Sequence, residues 1–416
     1  MTAAPPPPDP SVGGATGPGA RPAAPAGPAT LMLVLATLGF TINFWAWSLI
    51  GPLGATYRAE LDLTPFQVSV AVAVPVIVGS LGRIPVGAFT DRFGARTMLP
   101  AVSVLTIIPA LFVGFVADSF PLLVLGGFFL GLGGTAFAVG VPFVNGWYAP
   151  ERRGTALGIF GMGTAGTAIA AFTTVAIADA LGRAAPFVLV SVLLALYAVA
   201  GRFLLRDPGP RTAPTGSLVR RTLQTLRIPV TGQLAVIYAM GFGGFVAFSV
   251  YLPTYLVNAY GLSAGDAALR TAGFVVLAVV ARPVGGMVSD RWHPVPVLTI
   301  CFLTAGVMAA LASLQLELLP AGTVAFLGLA ATLGAASGAC FALVAKVAPA
   351  GQVGSVTGIV GAAGGLGGFF PPLVMGAVYG ATGAYTLGLI LLALSALGVA
   401  AFTWWPVRRA SQGATH

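Results

Sequence analysis

Arg83-Ile-Pro-Val-Gly87-Ala-Phe-Thr-Asp91-Arg92 recurs, 199 residues later, as Arg282-Pro-Val-Gly-Gly286-Met-Val-Ser-Asp290-Arg291. In each copy an arginine stands in apolar sequence, eight residues before an Asp-Arg pair. The eleven acidic residues fall at or outside the ends of the apolar segments, so neither Arg83 nor Arg282 has a carboxylate at its own depth. A fixed positive pair without internal counter-ions calls for an anion.

The surrounding composition sets the class. With 57% hydrophobic residues, 7% charged residues and a mean hydropathy of +0.94, a chain of this length has more apolar surface than a soluble fold can hide. A helix needs about 20 apolar residues to cross the hydrocarbon core. Twelve such runs are expected, beginning near Leu31, Phe66, Thr97, Pro121, Gly154, Ala184, Pro229, Ala267, Pro294, Leu319, Gly354 and Tyr385. The short alternating segments of a transmembrane barrel are absent from the sequence. The expected fold is an all-α integral membrane protein of twelve transmembrane helices.

The net charge of +9 has a pattern that argues against nucleic acid. Counted from a cytoplasmic N-terminus, the even-numbered turns and the two tails hold fifteen Lys or Arg, and the opposite turns only Arg58, Arg183 and Arg270. That asymmetry is the positive-inside signal and places both termini in the cytoplasm. Residues 1–29, rich in Pro, Ala and Gly, are expected to be a disordered cytoplasmic tail. Met1 leads into prolines rather than into the charged start and apolar core of a signal peptide, so the first apolar run is expected to remain as a helix. The remaining divisions are a six-helix bundle over 30–205, a basic cytoplasmic linker with a possible interfacial helix over 206–228, a second six-helix bundle over 229–406, and a tail over 407–416.

The duplication runs beyond the arginines. Gly154-Thr-Ala-Leu-Gly158-Ile-Phe-Gly161 is answered, 200 residues on, by Gly354-Ser-Val-Thr-Gly358-Ile-Val-Gly361. Two six-helix units, each with an even number of crossings, enter from the same side and are parallel repeats around a central cavity. Gly87-Ala-Phe-Thr-Asp91-Arg92-Phe-Gly94-Ala-Arg96 resembles the loop signature of the major facilitator superfamily. The resemblance sharpens to the nitrate/nitrite porter family through Asn43-Phe-Trp-Ala-Trp47, Phe137-Ala-Val-Gly140, Ala156-Leu-Gly-Ile-Phe-Gly-Met-Gly163, Arg282-Pro-Val-Gly285 and Gly361-Ala-Ala-Gly-Gly-Leu-Gly-Gly-Phe369.

Arg83 lies eight residues inside Asp91, about 12 Å deep at 1.5 Å per residue, near the middle of a core ~30 Å thick. At that depth an arginine faces protein or a wet cavity. A guanidinium presents a flat fork to a planar oxyanion and keeps its charge; nitrate and nitrite are planar monoanions. The resemblance implies that Arg83 and Arg282 hold the anion between the halves, with Phe137, Tyr238 and Phe242 enclosing it and the Tyr238 hydroxyl as a donor. The family's fifth-helix signature reads Gly-Asn-x-Gly where this chain has Gly163-Thr164-Ala165-Gly166. Thr164 is therefore expected to face the site with one hydroxyl in place of an amide. Asp91, Arg92, Arg96, Asp290 and Arg291, at the inner ends of helices, are expected to gate, with Asp pairing to a basic residue or a helix N-terminus. Gly158, Gly161, Gly163, Gly166, Gly358, Gly361, Gly364 and Gly365 are expected to let helices approach closely.

Gly161-Met-Gly163-Thr-Ala-Gly166 matches a dinucleotide fingerprint, but it lies inside an apolar helix rather than after a strand. His293, His416, Cys301 and Cys340 have no metal-site or disulfide spacing, and there is no phosphate-binding loop. The expectation is a non-enzymatic, cofactor-free, monomeric secondary transporter of nitrate, nitrite or both. With no carboxylate inside the membrane, exchange is favoured over the alternatives, proton symport or carriage of another monoanion such as a monocarboxylate.

Overall fold

The computed structural model describes residues 26–209, 223–349 and 352–409. Among these, twelve helical spans are long and apolar enough to cross a bilayer: α1 (Pro28–Trp47), α2 (Val70–Phe93), α3 (Ala95–Phe115), α4 (Phe120–Trp147), α5 (Pro150–Leu181), α6 (Ala185–Leu204), α7 (Pro229–Pro253), α8 (Leu269–Arg291), α9 (Pro294–Ser313), α10 (Leu318–Val347), α11 (Val353–Thr382) and α12 (Thr386–Val407). Their starts follow the apolar runs closely, because the thickness of the bilayer sets the length required. The first helix begins earlier than expected, at Ala26. Pro28 falls in its first turn, where the missing N–H has no helical partner to lose. The expected tail up to residue 25, linker residues 210–222 and the chain end from 410 lie outside the described residues. Of the expected interfacial helix, residues 223–226 form a helical turn.

The sequence marks many of the starts. Thr64 forms a capping box with Gln67 ahead of Pro65–Leu81, the helix that leads into α2. Pro294 opens α9 directly after His293, whose ring accepts the Val295 N–H. At Gly82 the backbone stays in the right-handed region (φ −62°, ψ −20°), and the next helical piece begins with Arg83. Arg83 thus sits at a joint inside α2, where the chain can turn its side chain inward.

Packing separates an outer layer from an inner one. In the first half α3 lies along α6; in the second α9 lies along α12. Ile108, Leu196, Val199, Val307 and Leu394, on these four helices, each expose more than half of their surface. An apolar exterior of this extent suits lipid, not water. The inner helices form the seam between the halves: α2 and α4 meet α11, and α5 meets α8 and α10. Polar side chains turn inward, as where Asn43 of α1 donates to Ser103 of α3 at 2.8 Å. The architecture is two parallel-repeat six-helix bundles.

Candidate functional site

Both intramembrane arginines point into the seam and are almost wholly buried, at 1% and 2% exposure. Arg83 donates from Nε to the Gly134 carbonyl of α4 (3.1 Å) and from Nη1 to the Gly361 carbonyl of α11 (2.8 Å). Arg282 donates from Nη1 to the Gly161 carbonyl of α5 at 3.1 Å. Gly161 and Gly361 occupy the same place in the repeat, so each arginine reaches into the opposite half for a matching carbonyl. Arg282 differs from Arg83 in its remaining donors. Its Nε and Nη2 are buried without a hydrogen-bond partner among the described residues. Those two N–H groups share one edge of the guanidinium plane and are parallel, the geometry that takes two oxygens of a planar anion. An unpaired charged edge in a buried site is costly, so an acceptor bound there gains more than it would in water.

Aromatic rings wall the arginines. Tyr238 stacks on Phe242 with centroids 5.1 Å apart and 1° between planes, and on Phe137 at 6.1 Å and 7°. The Arg83 guanidinium carbon lies 5.4 Å from the centroids of both Phe137 and Phe242, and that of Arg282 lies 5.2 Å from Phe242. Phe242 thus serves both cations, and the Tyr238 phenol lies in the field of both. Cation–π attraction offsets part of the cost of burying charge. Three rings belong to this wall that sequence reasoning did not single out. Phe44 lies 6.0 Å from Arg83, Phe245 lies 5.1 Å from Arg282, and Phe341 stands edge-on to Phe137 and Tyr238. Phe245 was readable, since it follows Phe242 by three residues and shares its helix face. Phe341 carried no such signal.

Small residues bring the backbones of the seam together. A Cβ at Gly158 would lie 2.6 Å from Pro283 Cα and 2.7 Å from the Arg282 carbonyl oxygen; one at Gly358 would lie 2.5 Å from the Arg83 carbonyl oxygen. Gly161 and Gly361 face the arginine side chains themselves. The other glycines divide differently: Gly163 and Gly166 pack on α1 at Phe40 and Thr41, Gly364 on the Tyr238 ring, and Gly365 on Ser80. Thr164, 1% exposed, donates its hydroxyl to the Gly161 carbonyl at 3.0 Å. The hydroxyl therefore meets the same oxygen that Arg282 uses.

At one end of the seam, two carboxylates cross between the halves. Asp91 accepts from the Gly354 and Ser355 N–H groups (both 3.1 Å) and from the Ser355 hydroxyl (2.7 Å). Asp290 accepts from the Gly154 N–H (2.7 Å) and from the Thr155 N–H and hydroxyl (both 2.6 Å). Each Asp caps the start of a helix in the other half, where unpaired N–H groups and the helix dipole favour an anion. Both aspartates meet a helix N-terminus, one of the two kinds of partner expected for them. Arg92, Arg96 and Arg291 are exposed beside these contacts. Arg92 lies over Phe93, and the Arg96 backbone N–H donates to Asp207. The capped residues had a signal in the repeat: Gly154-Thr155 and Gly354-Ser355 keep a hydroxyl at the same place.

The family model described as the Major Facilitator Superfamily matches residues 36–314 and 234–415. Over 377 residues the chain is 49% identical to a protein of Mycobacterium tuberculosis named probable nitrate/nitrite transporter NarK2, covering 89% of this chain and 95% of that one. The chain belongs to the nitrate/nitrite porter family of the major facilitator superfamily. This porter is also 38% identical over 375 residues to the nitrite extrusion protein of Bacillus subtilis, covering 89% and 92% of the two chains. Among solved structures, the proton:xylose symporter XylE superposes with a TM-score of 0.75 at 15% identity, covering 92% of this porter and 96% of that chain. The transporter FucP in its outward conformation gives 0.72 at 19%, covering 90% and 98%. At such identities these two structures speak for the fold alone. Members of the superfamily are membrane carriers, so the porter is a carrier and not an enzyme.

Proposed function

We propose that this porter carries nitrate, nitrite or both across the cell membrane by alternating access, with the anion held between Arg83 and Arg282. The observation that carries this reading is the unpartnered Nε–Nη2 edge of Arg282, buried against Phe242 and Phe245 and across the seam from Arg83. A planar monoanion fits an arginine fork and an aromatic wall better than a bulky or cationic solute does. The names of the relatives in Mycobacterium tuberculosis and Bacillus subtilis agree with that chemistry.

The favoured mode is exchange of nitrate against nitrite. When the halves close, the arginine of each half meets a glycine carbonyl of the other. These carbonyls supply dipoles but no countercharge, so closing without an anion leaves two positive charges in a dry seam. An anion at the Arg282 edge neutralises part of that charge and lets the halves rock past one another. Asp91 and Asp290 form the gate on the cytoplasmic side, where both termini lie, and Gly158 and Gly358 allow the backbones to close there. All of these parts belong to one chain, and a monomer suffices.

The test is uptake of labelled nitrate into proteoliposomes loaded with nitrite, with chloride or with neither. Stimulation by internal nitrite supports exchange. Uptake that needs an imposed proton gradient makes the porter a symporter. Absence of nitrate and nitrite flux under every condition rejects the substrate assignment.

A further inference from the structure

The two arginines are held unequally, and the inequality has a local cause. Among the described residues, Arg83 has two carbonyl partners, and its bond to Gly361 is 2.8 Å long; Arg282 has one, at 3.1 Å, and two buried donors without a partner. Position 364, the counterpart of Thr164 in the 200-residue repeat, is glycine. Among the described residues, the Gly361 carbonyl is thus met by the Arg83 side chain alone, whereas Thr164 Oγ1 and Arg282 Nη1 converge on the Gly161 carbonyl at 3.0 and 3.1 Å. The other Arg83 anchor, Gly134, lies in a 3₁₀ turn of α4, Gly131–Thr135. The matching Gly334 lies within the unbroken helix Thr323–Val347 and receives nothing from Arg282.

We propose that Thr164 is a positioning residue for Arg282: its hydroxyl competes for the Gly161 carbonyl and keeps Arg282 loosely held, so that Arg282 moves to capture the anion while Arg83 stays anchored. This rests on the two-arginine anion site proposed above. A carbonyl oxygen that already accepts a hydroxyl is a poorer acceptor for a second donor. Without the hydroxyl the Arg282–Gly161 bond strengthens. That bond joins the two halves, so the closed, anion-free carrier becomes more populated. The threonine thereby biases the porter towards exchange, because it discourages closing without cargo.

The test uses the full-length porter with Thr164→Val, which removes the hydroxyl at nearly constant shape, and Thr164→Ser, which keeps it. In anion-free protein, hydrogen–deuterium exchange of the Gly154, Thr155, Gly354 and Ser355 amides reports closure through the two aspartate caps. Thr164→Val is expected to slow that exchange. In proteoliposomes it is expected to raise the KM for nitrate and nitrite roughly three- to tenfold, the worth of one net hydrogen bond, and to raise uptake into anion-free vesicles relative to exchange. Thr164→Ser is expected to match wild type in all three readouts. Amide protection and net-to-exchange ratio unchanged in Thr164→Val would overturn the proposal, as would a Thr164→Ser variant as altered as Thr164→Val, which would mark a packing role. Wild-type protein that moves neither nitrate nor nitrite rejects the substrate assignment instead, and the amide readout still decides the role of Thr164.

Discussion

Arg83 and Gly361 lie 278 positions apart in the chain and are joined by a 2.8 Å hydrogen bond across the seam between the halves. Arg282 and Gly161 repeat the bond at 3.1 Å in the opposite sense. The same side chains that present positive charge to the seam therefore also tie it shut. On the two-arginine reading proposed above, an anion on the Arg282 edge that this bond leaves open neutralises charge in the same seam, which couples binding to movement.

Replacing either arginine with lysine keeps the charge but removes the planar fork. Arg83→Lys also loses at least one of its two carbonyl anchors. Each charge-assisted hydrogen bond is worth about 1.5–3 kcal/mol, so either substitution is expected to lower nitrate–nitrite exchange by roughly 10- to 100-fold. Counterflow measured on variants that elute as wild type in size-exclusion chromatography checks this. Near-normal exchange in Arg282→Lys would mean that a point charge suffices.

If the aspartate caps gate the porter as proposed, removing them weakens the closed gate. Asp91→Asn and Asp290→Asn each leave an acceptor but delete the charge that complements a helix N-terminus, a loss of about 1 kcal/mol. Each is expected to slow exchange roughly fivefold. The double variant is expected to be slower by less than the product of the two, because both caps close one gate. Effects that multiply cleanly would show two independent contacts.

Gly158→Ala and Gly358→Ala place a Cβ against the backbone of α8 and α2, with rigid neighbours 2.5–2.7 Å away. Closure of the halves is expected to fail, and exchange with it, while the protein remains folded. Gly273→Ala is the control, since nothing lies within 4 Å of a Cβ there. It is expected to transport as wild type. Equal activity in all three would show that the seam has room to spare.

Acid sensitivity has a candidate in His293, in the turn between α8 and α9. Burial of its ring, then the nearby positive charges of Lys346 and Arg408, hold its pKa below the ordinary imidazole value. A depressed folded value means that its contribution to stability is complete above the ordinary value and is lost as pH falls through the lower, folded one. Protonation also removes the Nδ1 acceptor of the Val295 N–H. Thermal melting in detergent is expected to show a larger drop between pH 7 and 5 for wild type than for His293→Asn, which keeps a neutral cap acceptor. Identical pH profiles would remove His293 from consideration.

What the sequence by itself determined was whatever adds up along the chain. Apolar length set the twelve spans, because crossing a bilayer depends on the sum of a local window. The 199- and 200-residue echoes set the duplication and put Arg83 and Arg282 at matching depth. Phe137, Tyr238 and Phe242 came from the family resemblance, and the structure brings their rings together around both arginines.

Only the tertiary structure decided the partners. That Asp91 caps Ser355 while Asp290 caps Thr155, and that Thr164 turns its hydroxyl to Gly161, depends on how helices from opposite halves are rotated against each other. So does the unpaired edge of Arg282. A repeat makes two positions alike in sequence, but the donors and acceptors around each come from residues far away in the chain. Thr164 corresponds to Gly364 in the repeat, and Gly134 lies in a 3₁₀ turn where Gly334 lies in regular helix; these local differences accompany one arginine with two carbonyl partners and another with one.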